Sequence, residues 1–75
     1  MTQAPAEPQI GVRVNGEARQ GAAGATVAAL LESMAIDSRL VAIELDGRIV
    51  SRGALGTVSL NDGARLEIVR FVQGG

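Results

Sequence analysis

Thr26-Val27-Ala28-Ala29-Leu30-Leu31-Glu32-Ser33-Met34 carries the one helical signature in the chain. Val27, Leu30, Leu31 and Met34 recur at the spacing of a single helical face. Thr26 is a good N-cap, because its hydroxyl can accept from the first-turn amides. The helix is expected to run to about Ala35, with Ile36-Asp37-Ser38 ending it. A lone helix with one apolar stripe needs one sheet face against which to bury it.

Strands are legible on both sides of that helix. Upstream, Ile10-Gly11-Val12-Arg13-Val14 alternates, with Ile10, Val12 and Val14 on one face. Asn15-Gly16 follows, a strong hairpin signal because both turn residues must accept positive φ. Glu17-Ala18-Arg19-Gln20 is the return strand, polar as an edge strand should be. Gly21-Ala22-Ala23-Gly24-Ala25 then breaks the strand and turns into the helix. It superficially resembles a phosphate-cradling loop, but the Lys of the P-loop pattern is missing. Downstream, Leu40-Val41-Ala42-Ile43-Glu44-Leu45 is a strand with Val41, Ile43 and Leu45 on one face. Asp46-Gly47 is a second two-residue hairpin turn, and Arg48-Ile49-Val50 returns. Residues 51–59 read as a loop that can hold a short helical turn. Leu60-Asn61-Asp62-Gly63 is a tight turn into a last strand over residues 65–72. Leu66 and Ile68 face one side of it; Glu67, Val69 and Phe71 face the other.

The order is strand, strand, helix, strand, short strand, loop, strand. It predicts an α+β fold, with one main helix packed on one face of a mixed four- to five-stranded sheet. A hairpin at each end with the helix between makes a ubiquitin-like β-grasp the natural topology, with the first and last strands side by side in the centre. Residues 1–9, with Pro5 and Pro8, are expected to be a disordered leader. Residues 10–72 form the domain and residues 73–75 a flexible tail.

Composition excludes several kinds of function. Seventy-five residues make one small domain, and the 47% hydrophobic share is ample for a core. There is no Cys, hence no disulfide, thiol nucleophile or cysteine metal site. There is no His, which removes the usual general base near neutrality and the commonest metal ligand. Ser33, Ser38, Ser51 and Ser59 therefore have no imidazole to activate them. Glu44 and Asp46 are a nearby carboxylate pair, read as solvated groups on a strand face. No catalytic residue of its own, no metal site and no bound cofactor are expected. The net charge of −1 is spread along the chain, and there is a single aromatic residue. Neither a basic block nor a stacking platform suggests nucleic acid, and no apolar run approaches a membrane span. The start has neither the basic residues nor the apolar run of a secretory signal, and the absence of Cys fits a reducing cytoplasm. All seven basic residues are Arg. Without Lys, the chain offers no side-chain amine as an isopeptide acceptor.

The last strand ends in Gln73-Gly74-Gly75, which has no side chain able to anchor it. Such an end is chemically usable. Without Cβ atoms, the backbone enters a channel too narrow for other residues. The unhindered terminal carboxylate can take AMP from ATP to become an acyl-adenylate, open to sulfur or nitrogen nucleophiles. Alone, a glycine end is equally a frayed terminus. Phe71 and Val69, just upstream on the open face, are the candidate anchors for a partner.

In their order, these motifs resemble the ThiS family, the sulfur carrier proteins of thiamine biosynthesis. The matching stretches are Val14-Asn15-Gly16-Glu17, Ala25-Thr26-Val27 with Leu30-Leu31, Val41 through Val50, Asn61-Asp62-Gly63 leading to Leu66-Glu67-Ile68-Val69, and Gly74-Gly75. They cover residues 10–75. The family usually carries Asn where this chain has Asp46, often Pro at Ser51, and often Gly at Gln73. The resemblance implies that a ThiF-like adenylating enzyme uses Mg and ATP to adenylate the Gly75 carboxylate. Gln73 and Gly74 would thread that enzyme's active site. A sulfur donor, typically fed by a cysteine desulfurase, would replace AMP to give a thiocarboxylate, whose sulfur a thiazole synthase takes. Two other carriers share this outline: the small subunit of molybdopterin synthase, and a carrier serving cysteine or a secondary metabolite. From a different class comes a ubiquitin-like interaction module with an inert tail.

Overall fold

The computed structural model describes residues 8–71. The chain order is β1 (Gln9–Val14), β2 (Glu17–Ala22), α1 (Val27–Ser33), β3 (Val41–Leu45), β4 (Arg48–Val50) and β5 (Ala64–Arg70). Short 3-10 turns precede β3 (Ser38–Leu40) and follow β4 (Arg52–Ala54). The five strands form one mixed sheet in the order β2-β1-β5-β3-β4. β1 and β5, the first and last strands, are parallel neighbours in the centre, and every other pairing is antiparallel. This is the expected β-grasp arrangement.

The period-2 and period-3.6 patterns meet in one core. Val12, Val14, Val41, Ile43, Ala64 and Leu66 line the inner face of the sheet, and Val27, Leu30 and Leu31 come down from α1. Leu55 and Leu60 close the core from the long loop after β4, which sequence alone left without a packing role. That loop also seals the start of α1. Val27 N–H donates to Val58 O at 3.0 Å and Ala28 N–H to Leu55 O at 2.9 Å. Thr26 acts as N-cap, accepting from Ala29 N–H at 3.1 Å. The first-turn amides that a phosphate would need are thus all taken by the protein. This disposes of phosphate binding at Gly21 to Ala25.

Several boundaries differ from the sequence reading; Leu40, read as the start of β3, closes a 3-10 turn before it. The return strand runs on through Gly21 and Ala22, paired with Ile10 and Gln9. Glycine weakens a strand interior without forbidding it, and this edge strand needs backbone pairing more than side chains. Gln9 is itself in β1, and Pro8 O accepts from Ala23 N–H at 2.9 Å, so pairing begins before Ile10. The remainder of the predicted leader, residues 1–7, lies outside the described residues. β5 starts at Ala64 and stops at Arg70.

The helix ends two residues early, in a Schellman motif. Ala35 N–H bonds Glu32 O at 3.0 Å and Ile36 N–H bonds Leu31 O at 2.9 Å. The motif needs a left-handed residue, and Ala35 takes it at φ 57°. A Cβ is disfavoured there. Ala35→Gly should therefore stabilise the domain by roughly 0.5–1 kcal/mol, once the greater freedom of glycine in the unfolded chain is subtracted. A thermal melt that falls would contradict this.

Both hairpin turns grip β5 as well as reversing the chain. Asn15, at φ 51°, donates from its backbone N–H to Leu66 O at 2.8 Å. Its side-chain amide then donates to Ile68 O at 3.1 Å and accepts from Ile68 N–H at 2.7 Å. The side chain thereby continues the parallel ladder after the main chain has turned away. Asp46, also at φ 51°, accepts from Arg65 N–H at 2.9 Å through Oδ1, and its own N–H donates to Arg65 O at 2.8 Å. Asp62 Oδ1 accepts from Gly11 N–H at 2.7 Å. Side chains from three turns thus hold the parallel central pair: Asn15 and Asp46 bond β5, and Asp62 bonds β1.

The Asp37 carboxyl is held well below its ordinary range. Side-chain hydrogen bonds from Arg39, then the Arg39 backbone N–H, hold it down to about 2. Its folded value is lowered, so this contact acts at neutral pH and is lost only as pH falls toward 2. The pair is exposed, so it adds little to stability.

Candidate functional site

The helix covers one face of the sheet and leaves the other bare. Because β5 alternates, Leu66 is buried while Glu67 and Val69 face outward. The register sets Val69 opposite Ala42 and Glu67 opposite Glu44 on β3, and Glu44 opposite Ile49 on β4. Val69 is 56% exposed and Phe71 50%. Phe71 stands one residue past β5, where its N–H still donates to Leu40 O at 2.9 Å. Both predicted docking residues are thus large, apolar and accessible, beside the point where the chain leaves the sheet.

Sequence reasoning missed two members of this patch. Ile49 is the most exposed large apolar residue described, at 80%, and Leu40 is 45% exposed. Ile49 had a signal. A two-residue Asp46-Gly47 turn fixes the register of β4 on β3, so a branched residue beside Val50 must point to the opposite face. Phe71, Ala42 and Ile49 border a recess of about 210 Å³ at the edge where β4 is too short to cover β3.

Toward the other end of β5 the open face becomes charged. Arg13 and Arg65 are register partners across β1 and β5. With Glu44 and Glu67 they border a depression of about 520 Å³ that reaches the Asp46-Gly47 turn. Among the described residues there is no cluster of three or more metal-ligating side chains. Nor is any described helix long and apolar enough to cross a membrane. Gln73, Gly74 and Gly75, the predicted tail and modification site, lie outside the described residues.

The sequence profile of the ThiS family matches residues 12–75, from the first core strand through both glycines. The chain belongs to the ThiS family. Solved structures agree. A crystal structure of the thiamine biosynthesis protein ThiS from Geobacter metallireducens superposes with a TM-score of 0.77 at 29% identity, covering 88% of this chain and all of that one. An NMR structure of a thiamine biosynthesis protein from the same organism gives 0.71 at 29% identity, covering 88% of each chain. Two curated relatives are named thiazole synthase. The one from Paramagnetospirillum magneticum is 47% identical over 62 residues, which is 83% of this ThiS-family chain and 19% of that protein. The one from Magnetococcus marinus is 36% identical over 64 residues, 85% of this chain and 20% of that protein. The chain therefore spans about a fifth of the length of these relatives.

Proposed function

We propose that this ThiS-family chain is the sulfur carrier of thiamine thiazole synthesis, with Gly75 as its reactive C-terminal residue. The observation that carries the reading is the family match, which runs unbroken from the β-grasp core to Gly75. The Gly75 carboxylate attacks the α-phosphorus of ATP, held with Mg by a ThiF-like enzyme. Pyrophosphate leaves and an acyl-adenylate remains. A sulfur nucleophile, fed by a cysteine desulfurase or another donor, attacks the acyl carbon and expels AMP. Hydrosulfide gives the thiocarboxylate directly; a persulfide gives an acyl disulfide, from which a second thiol releases the thiocarboxylate as a disulfide forms on the donor. A thiazole synthase takes the sulfur. Relatives that hold a similar segment inside a thiazole synthase support that last partner over a pterin-directed one.

The carrier contributes position rather than acid–base chemistry. Its open face docks, and Gln73 and Gly74 thread the carboxylate into the partner. Intact-protein mass after incubation with the adenylating enzyme, ATP and a sulfur source tests this. Wild type should gain one oxygen-to-sulfur exchange at Gly75; a mass that never changes with a competent enzyme favours the inert interaction module.

Phe71 should anchor the docking. It is absent from the core cluster, so Phe71→Ala should leave the melt nearly unchanged. Loss of a central aromatic contact should weaken binding to the adenylating enzyme by at least about tenfold. Unfolding of the variant would instead make Phe71 part of the core.

A further inference from the structure

The first hairpin turn carries a chemical weakness. Of the two Asn in the chain, Asn15 is followed by Gly16, and Asn61 by Asp62. In an Asn-Gly pair the glycine peptide nitrogen can attack the Asn Cγ. Glycine offers no side chain to hinder the approach, and the space where a Gly16 Cβ would stand is open. A C–N bond forms, and the amide nitrogen leaves with the peptide proton as ammonia. Water then opens the cyclic imide at either carbonyl, to Asp or to isoaspartate, whose main chain runs through Cβ. The net change is amide plus water to acid plus ammonia. Asn15 is exposed, so water reaches it and burial does not protect it.

Its protection comes from β5. The Asn15 side chain accepts from Ile68 N–H at 2.7 Å and donates to Ile68 O at 3.1 Å. Ring closure swings Cγ back over its own peptide and breaks both bonds. The product cannot resume this grip. An amide both donates and accepts, whereas a carboxylate only accepts. A carboxylate at position 15 can still take Ile68 N–H, but its second oxygen then faces Ile68 O with no proton between them. The other hairpin shows where a carboxylate does serve. Asp46 and Gly47 stand at φ 51° and 84°, Asn15 and Gly16 at 51° and 85°. At Asp46, however, the donor to β5 is the main-chain N–H, which bonds Arg65 O, and the side chain has only to accept from Arg65 N–H. The two turns share a backbone and differ in what they require of the side chain. The register of β1 on β5 ends with Val14 opposite Leu66, so the Asn15 side chain extends that pairing toward the end of β5.

We infer that Asn15 is a site of spontaneous deamidation gated by the fold: closed while β5 is seated beside β1, open when that end of β5 lifts, and unable to hold β5 once converted. A transient opening of the ladder can thus become permanent.

Wild type in mildly alkaline buffer should deamidate at Asn15 at least about tenfold more slowly than in guanidinium, because the ladder has to open first. Intact mass reads the amide-to-acid gain, and peptide fragmentation places it. Asn15→Asp should melt roughly 4–8 °C below wild type, since the donor to Ile68 O is lost. Asp46→Asn is the control. It keeps the acceptor for Arg65 N–H and should melt within about 2 °C of wild type. It also creates a second Asn-Gly pair in the same kind of turn, with one side-chain bond to β5 kept rather than two. In the folded variant that new amide should be lost before Asn15, and in guanidinium the two should go together. Equal loss from Asn15 in buffer and in guanidinium would overturn the gating. So would loss of Asn15 ahead of the new amide in folded Asp46→Asn. An Asn15→Asp melt equal to that of wild type would overturn the claim that conversion releases β5, and earlier loss at Asn61 in guanidinium would overturn the site.

Discussion

Deletion of Gly75 is expected to abolish sulfur loading and leave the thermal melt where it was. On the proposed carrier reading, the carboxylate has to reach the α-phosphorus of an ATP buried in another protein. Moving it back by one residue displaces it by about 3.3–3.6 Å, and a misplacement of even 1 Å can slow a reaction roughly a hundredfold. On the proposed reading, docking through Val69 and Phe71 fixes where the tail starts, so lost length is not recovered by sliding. Stability should be indifferent. The core cluster and its satellites extend no further along β5 than Ile68, and the last described backbone bond is that of Phe71. Gly74→Val should fail in the same assay for another reason: a branched side chain obstructs the channel while the carboxylate keeps its reach. Intact mass reports both. A truncated chain that loads as readily as wild type would end the carrier hypothesis.

Leu31→Ala should do the reverse, weakening the fold itself. Leu31 is 1% exposed, among the most deeply buried side chains of the domain. It sits where α1 meets the sheet, and its carbonyl accepts the Ile36 N–H that closes the helix. Truncation loses transfer free energy and leaves a cavity, together roughly 2–5 kcal/mol. A domain of this size has only about 4–11 kcal/mol in total. The melt should fall by roughly 10 °C or more. Ile49→Ala is the matched control. It removes a side chain of the same volume, but one that is 80% exposed, so the melt should move by less than about 0.5 kcal/mol in equivalent stability. A small effect at Leu31 would mean that the helix sits in another register.

The contrast between Leu31 and Ile49 shows what the sequence made legible. Local patterns were readable: the stripe Val27, Leu30, Leu31, the Thr26 cap, and the turns at Asn15-Gly16 and Asp46-Gly47. Each depends on neighbours within a few positions. Leu55 and Leu60 were read as loop residues because nothing local says that a loop will cap a helix and fill a core. Ala35 gave no sign of a left-handed cap, a place where glycine is the usual signal. Gly21 was read as a breaker because its pairing with Ile10 is invisible without the register. At the site, Val69 and Phe71 followed from alternation in one strand. The opposition of Arg13 to Arg65 did not, since it depends on a parallel pairing between the two ends of the domain. The tail was legible only as chemistry, from residue type and place.

β5, the strand proposed to dock, is also expected to be the last to find its place. Asn15 and Ile68, joined by two hydrogen bonds, are 53 positions apart, and β5 lies between β1 and β3. Closing so long a loop must precede any reward from the contacts it brings, which makes such pairings slow to nucleate. Each hairpin alone is marginal in water, and the sheet halves have no shared face until β5 enters. The folding transition is therefore concentrated in one late event. The same event completes the core under Leu66 and creates the outward row of Arg65, Glu67 and Val69. A nascent or partly unfolded copy has no such row, so the proposed docking would double as proofreading: only a finished domain would present its tail for reaction.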